Sequence, residues 1–368
     1  MTGPVPILHV LVSTRVGGGP QHVLTVARGL RARGWRPIVA GPADGPLFAR
    51  LREAGVETSA VRSDRLGPWT LLRLVRLIRR HRVRLVHSHG KGAGLHGRLA
   101  ARLTGVPAVH TLHGIHYEGY PAPARAAYLA LERRLAAWTR VVVNVSRAQE
   151  REGLALGLFT ASQSRVILNG VDVAGLAAGA LDRIEARAAL GLDRASMVVG
   201  CAARFDEVKR LDLLVEAVAA VPALTLVLIG GGAAEGRLRR LAADLGLAGR
   251  VRFTGERPEA ARLFAAFDVF AAPSRKEGLP LGVVEAMALG LPVVASDIAG
   301  HREVLGAGSA GLVPGTVAAF AERLATVMAD ADLRGRMAAE NRTRARSEFD
   351  ARDMLAALEG VYGEALAL

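Results

Sequence analysis

Between Asp268 and Val304 the chain reads DVFAAPSRKEGLPLGVVEAMALGLPVVASDIAGHREV, a stretch that admits few folds. Val269 to Ala272 is a short apolar run, stopped at Pro273 and Ser274 because proline offers no amide to a sheet ladder. A loop carrying Glu277 and Gly278 follows. Gly282 to Leu289 then has helical character and ends at Gly290, with Pro292 just beyond. Val293 to Ala295 is a second buried strand. Strand, acidic loop, helix and strand in that order make one βαβ unit, which places the chain in the α/β class.

The start of this helix suits an anion. First-turn amides lack intrahelical partners and sit at the positive end of the macrodipole. Pro280 has no amide, so the donors are Leu279, Leu281 and Gly282. Glu277 and Glu285 flank the same turn, eight residues apart. Carboxylates repel a diphosphate but accept hydrogen bonds from hydroxyls. A ligand with phosphates in the middle and hydroxyl-rich rings on either side is a nucleotide sugar.

The pattern P-S-x-x-E-G-x-P-x-x-x-x-E-A-M-A-x-G-x-P-V-V-A-S, from Pro273 to Ser296, resembles the donor-site signature of glycosyltransferase family 4, retaining enzymes of the GT-B fold. The resemblance implies two Rossmann-like domains whose parallel sheets face across a central cleft. It gives Glu285 the donor ribose and Glu277 a sugar hydroxyl. Arg204 and Lys209, five apart where an apolar strand gives way to a helix, resemble the family's basic pair for the diphosphate. Arginine clamps two phosphate oxygens and lysine acts as a point charge. Gly17, Gly18 and Gly19, between a first strand and a helix at Pro20, match the glycine-rich loop that reaches toward the donor diphosphate. His113, in a T-x-H-G segment, corresponds to the histidine that touches the donor sugar near the reacting centre. His89, Lys91 and His116, in His-Ser-His-Gly-Lys-Gly and His-Gly-Ile-His, are candidates for the acceptor side.

At 368 residues the chain exceeds one ordinary core. The boundaries read as an acceptor-binding domain over 1–163, a linker within Thr160 to Arg165, and a donor-binding domain over 164–349. A last helix, about 350–368, packs back on the first domain in folds of this type. Asn169-Gly170-Val171-Asp172 marks the entry to the second domain. The only cysteine, Cys201, lies in an apolar strand from Met197 to Ala202 and reads as a buried small residue. With no apolar run of about 18 residues and an N-terminus that reads as a strand, the expected location is the cytoplasm.

Charge is unevenly spread. Residues 1–163 hold 24 basic and 8 acidic residues, a net of +16, whereas residues 164–368 hold 24 and 26, a net of −2. The first half therefore faces something anionic: a membrane surface, a lipid phosphate or an acidic glycan rather than a nucleic acid. Leu66 to Arg82 reads as a helix with Leu71, Leu74, Val75 and Ile78 inward and Arg73, Arg76, Arg79, Arg80 and Arg82 outward.

No metal or further cofactor is expected. The histidines lack paired cysteines or an H-E-x-x-H arrangement, and the D-x-D at Asp330 and Asp332 lies far from the donor loop. A dinucleotide oxidoreductase is disfavoured because Gly-Gly-Gly-Pro lacks the G-x-G-x-x-G spacing. The resemblance implies a retaining transferase moving a hexose or N-acetylhexosamine, from a UDP-sugar in the first instance, to a glycan or polyprenyl-linked acceptor of surface polysaccharide. GDP-mannose as donor, a nucleotide-sugar epimerase and a non-catalytic sugar-binding protein are the alternatives.

Overall fold

The computed structural model describes residues 3–64, 67–115, 117 and 119–367. The chain divides into two compact units: residues up to Asn169 together with those from Ala351 onward, and Gly170–Asp350.

The first unit carries seven strands: β1 (Val5–Val10), β2 (Trp35–Gly41), β3 (Glu57–Ala60), β4 (Leu85–His89), β5 (Ala108–Leu112), β6 (Val141–Asn144) and β7 (Ser164–Val166). They form one sheet in the order β3-β2-β1-β4-β5-β6-β7, every pair parallel. Ile7 and Leu8 are both fully buried but belong to separate cores, Ile7 with Val26, Leu85 and Leu358, Leu8 with Ile38, Leu74 and Val86. Side chains alternate across a strand, so both faces of this sheet are covered.

The second unit holds β8 (Met197–Ala202), β9 (Leu224–Ile229), β10 (Val251–Phe253), β11 (Val269–Ala272), β12 (Val293–Ser296) and β13 (Leu312–Val313). Their order is β10-β9-β8-β11-β12-β13, again all parallel. In each unit the order reverses direction at one place, between β1 and β4 and between β8 and β11. Loops leaving the carboxyl ends of those neighbours converge, and that is where open parallel sheets place their ligands.

Two element boundaries differ from the sequence reading. Ser164–Val166, inside the region read as linker and second domain, is the last strand of the first sheet, and the units part after Asn169. A three-residue edge strand beside an Asn-Gly turn has no periodicity to betray it. The basic helix spans Pro68–Arg80, Leu66 lies outside the described residues, and Arg82 takes a left-handed conformation that ends the run.

The Ala351–Ala367 helix returns to the first sheet. Leu355, Leu358 and Tyr362 join its core. A Cβ on Gly29 would stand 2.2 Å from Leu355 Cδ1, so any larger residue there would have to push the Leu355 side chain aside. Glu359 accepts from Arg33 at 2.6 Å and from the Trp35 indole at 2.8 Å, and the Tyr362 hydroxyl meets His87 Nδ1 at 2.7 Å. Leu358→Ala, which empties a fully buried site, is expected to destabilise the first unit by about 2–5 kcal/mol, read from the shift of its unfolding transition in urea.

Candidate active site

The reversal between β8 and β11 gathers the second unit's charged groups. After β8 the chain makes a 3-10 turn over Glu207–Lys209, capped by Asp206, whose Oδ1 accepts from the Val208 and Lys209 amides at 3.1 Å each. Arg210 then takes a left-handed conformation (φ 50°) and the next helix starts. After β11 the Ser274–Gly278 loop crosses toward this turn, and the Arg275 amide donates to the Val208 carbonyl at 2.8 Å.

That clip sets Lys209 against Glu277. Lys209 Nζ donates to Glu277 Oε1 at 2.6 Å, and the Ser274 hydroxyl donates to the same oxygen at 2.7 Å. The side chains are 21% and 13% exposed, so this is not a surface pair. Burial by itself would raise the Glu277 carboxyl; the Lys209 charge and hydrogen bond, with Ser274, outweigh it and hold the group below the usual glutamate range. Cys201, beneath the pair on β8, is buried and its thiol is pushed up to about 12, so it is no nucleophile.

Two supports had a weaker sequence signal. His301 is fully buried, with Nδ1 at 2.7 Å from the Ser296 carbonyl oxygen, and Ser296 Oγ in turn donates to the Ser274 carbonyl. Gly300 lies against the Glu277 backbone: a Cβ there would stand 2.7 Å from the Glu277 carbonyl oxygen and 2.8 Å from its Cβ. His301 follows the Pro273 to Ser296 signature in the sequence. Ser274, Ser296 and Gly300 carried no signal beyond the motif's framing.

The other donor-side residues fall as follows. The Leu281–Ala288 helix has no side-chain cap, Gly278 and Leu279 precede it, and its second residue, Gly282, packs toward the end of β8, where a Cβ would meet the Ala202 carbonyl at 3.2 Å. Glu285 is half-buried on that helix. Arg204 is not drawn onto the pair; its guanidinium lies 3.0 Å from Asp206 Oδ2, and its side chain is 67% exposed.

In the first unit the reversal between β1 and β4 collects histidines. The glycine turn leads into the Gly18–Ala32 helix, and Gly17 is its cap position. Gly19 faces His113: a Cβ on it would lie 3.9 Å from the imidazole Cδ2. His113 Nε2 lies 3.2 Å from His89 Nδ1, and His89 Nε2 lies 3.1 Å from His9 Nδ1. Burial lowers His113 to about 4 and His9 to about 3; His89 also falls well below the ordinary value, through burial and then its imidazole neighbours. These rings are neutral at pH 7.

His89, read as an acceptor-side group, is 3% exposed and braces His113 instead of facing solvent. The alternation of a strand explains this, since residues at the end of a central strand still point into packed layers. His87 is held between the Tyr362 hydroxyl and Thr111 Oγ1 at 2.6 Å. Lys91 Nζ donates to the Tyr120 hydroxyl at 2.7 Å and sits over the Tyr128 ring at 4.0 Å. His116 lies outside the described residues.

Comparison with known proteins agrees with this geometry. Residues 16–174 match the family described as Glycosyltransferase Family 4, and residues 182–344 match Glycosyl transferases group 1. D-inositol 3-phosphate glycosyltransferase of Stackebrandtia nassauensis is 32% identical over 314 residues, covering 77% of this chain and 68% of that protein. The UDP-Gal:alpha-D-GlcNAc-diphosphoundecaprenol alpha-1,3-galactosyltransferase of Escherichia coli is 30% identical over 242 residues, 63% of this chain and 62% of its own. Among solved structures, Anabaena Alr3699/HepE in complex with UDP and glucose superposes with a TM-score of 0.87 at 25% identity, covering 98% of this chain and 99% of that one. Two parallel-sheet Rossmann-like units with these matches define the GT-B class. The chain belongs to glycosyltransferase family 4 and is a glycosyltransferase.

Gly300→Ala is expected to lower turnover by roughly tenfold to a hundredfold, because misplacing a reacting group by about 1 Å has effects of that size; steady-state transfer assays with circular dichroism as the fold control check it. The Glu277 carboxyl lies below its unfolded value of about 4.3, so its contribution to the second unit's stability is complete above that pH and is lost as pH falls through the folded value. Glu277→Gln should remove that acid-side dependence from thermal unfolding curves.

Proposed function

We propose that this protein is a retaining glycosyltransferase that moves a hexose or N-acetylhexosamine from a UDP-sugar to a polyprenyl-linked or glycan acceptor of cell-surface polysaccharide. The Lys209–Glu277 pair carries the reading, set between two strand crossings and beside an uncapped helix start. A lysine ammonium has three donors. Glu277 takes one, which leaves two for a diphosphate lying over Leu279, Leu281 and Gly282.

Arg204 completes the clamp by exchanging Asp206 for phosphate. An exposed pair such as Arg204–Asp206 contributes only about 0–1 kcal/mol. A donor aimed at charge that develops in the transition state contributes on the order of 3 kcal/mol, so the exchange favours catalysis. Departure of the nucleoside diphosphate builds charge on the leaving phosphate oxygen, which Lys209, Arg204 and the helix amides stabilise. That oxygen then takes the acceptor's proton in a front-face transfer, so no separate base is required. Glu277 accepts from a sugar hydroxyl through its carboxylate, and Glu285 is assigned the ribose.

On the first unit, His113 is assigned the donor sugar, Gly17 to Gly19 the close backbone approach, and Lys91 and His116 the acceptor. Neutral His113 donates to or accepts from a hydroxyl without adding charge. The UDP assignment draws support from HepE, whose complexes hold UDP and UDP-glucose, and the polyprenyl acceptor from the E. coli galactosyltransferase named above.

The same reading places the protein on the inner face of the plasma membrane. On the Pro68–Arg80 helix Leu74 and Ile78 are buried while Arg73, Arg76, Arg79 and Arg80 are exposed, and Trp69 at its start is 74% exposed. An aromatic ring beside an arginine row suits an anionic headgroup layer.

Incubation with UDP- and GDP-sugars, with and without polyprenyl-diphosphate-linked acceptors, tests the activity. Acceptor-dependent release of UDP is the expected result; GDP release would shift the donor to GDP-mannose, and an altered sugar without acceptor would indicate an epimerase. Lys209→Ala and Glu277→Ala are each expected to lower turnover at least about a hundredfold with the fold intact, and near-normal rates in either would refute the site. Replacing Trp69, Arg73 and Arg76 together by alanine should weaken sedimentation with phosphatidylserine vesicles, at about 1 kcal/mol per arginine removed, without changing transfer to a water-soluble acceptor.

A further inference from the structure

We propose that His22, His89 and His113 form a three-nitrogen binding site for a divalent transition-metal cation of the zinc class. His22 lies on the helix after the glycine turn, His89 ends β4 and His113 follows β5, so three chain segments bring them together where the first sheet reverses. One ring nitrogen of each lies within 4.8 Å of the other two. The His89 Nδ1 to His113 Nε2 separation is already 3.2 Å. Around a tetrahedral zinc with bonds of about 2.0–2.1 Å, ligand nitrogens stand about 3.3–3.4 Å apart.

His22 supplies an independent observation. It is 3% exposed, and among the described residues neither ring nitrogen reaches a partner in good hydrogen-bond geometry, the buried Asn169 side chain being a polar neighbour just short of it. A buried imidazole left unpaired is unfavourable, and a cation shared with His89 and His113 satisfies it. The remaining nitrogen of His89 meets His9 at 3.1 Å, the kind of outer contact that fixes a ligating ring. A second trio, His9, His87 and His89, is closed to metal because both His87 nitrogens are taken by Tyr362 and Thr111. An all-imidazole set selects zinc, cobalt, nickel or copper over magnesium or calcium. Sequence spacing gave no hint of this, since the ligands stand at 22, 89 and 113 and only the fold assembles them.

The site itself does not depend on the proposed chemistry, but one consequence does: metal held by His113 would withdraw that ring from the donor sugar, so zinc should inhibit transfer. The full-length protein, freed of metal with EDTA, is titrated with Co2+ and followed by the visible absorption of tetrahedral cobalt. One equivalent is expected to bind, displaced by Zn2+. His22→Asn and His113→Asn should each weaken binding at least about a hundredfold, while His81→Asn, at the end of the basic helix, should leave it unchanged. Absence of saturable binding by the parent protein, or unaltered binding in a folded His22→Asn variant, overturns the site. Should His22→Asn fail to fold, His113→Asn on its loop decides the question by the same criterion. Zinc inhibition that is lost in His22→Asn supports the consequence; binding without inhibition leaves the metal site standing and refutes the role given to His113.

Discussion

A carboxylate and an ammonium 2.6 Å apart, both largely withdrawn from water, tie together the two loops that leave the second sheet at its reversal. Such a pair is weak evidence for stability, because desolvation of both ions offsets much of their attraction. Its value is positional. Glu277 comes from the crossing after β11 and Lys209 from the crossing after β8, so the contact adds to the backbone clip between Arg275 and Val208 in joining the two loops. Among the described residues each group also keeps hydrogen-bonding capacity beyond this contact, two lysine donors and a second carboxylate oxygen.

Backbone conditions make the pair possible. Asp206 caps the short turn that aims Lys209, and the Arg275 amide clips the acidic loop to that turn. Behind them, Gly230 and Gly232 press on the β8 loop: side chains there would stand 1.9 Å from the Ala203 carbonyl and 2.5 Å from the Phe205 carbonyl, and both residues have positive φ. Gly300 does the same for the Glu277 backbone. Close packing of this kind transmits displacement, so a methyl group added at Gly300 shifts the backbone that carries the carboxylate.

Much of the fold was legible in the sequence because parallel α/β sheets write it plainly. Apolar runs such as Leu224–Ile229 are buried on both faces, glycine and proline punctuate them, and the signature from Pro273 to Ser296 names its family. Lys209 and Glu277, 68 residues apart, were each assigned to the donor side by separate motifs, and the structure brings them into contact through the reversal between β8 and β11. What escaped was whatever depends on tertiary packing. Ser164–Val166 is too short to show periodicity, and its place in the first sheet follows from pairing with β6. The burial of His89 and the outward turn of Arg204 depend on neighbours that no local pattern records. His22 sits on a helix face with no motif around it, and only the fold sets it beside His89 and His113.

The first unit separates charge by depth. Its interior holds neutral imidazoles, and the buried Arg98 is matched by Glu132 at 2.6 Å, so desolvated positive charge is neutralised locally. The rest must lie outside. With the terminal helix included, this unit has 26 basic and 11 acidic residues, so at least 15 positive charges have no carboxylate of the same unit to match them. Mutual repulsion of that size acts against the compact state unless counter-charges gather at the surface. The second unit, built on the same architecture, carries almost no net charge, so the excess is not a requirement of the fold. It is a surface property of the first unit alone.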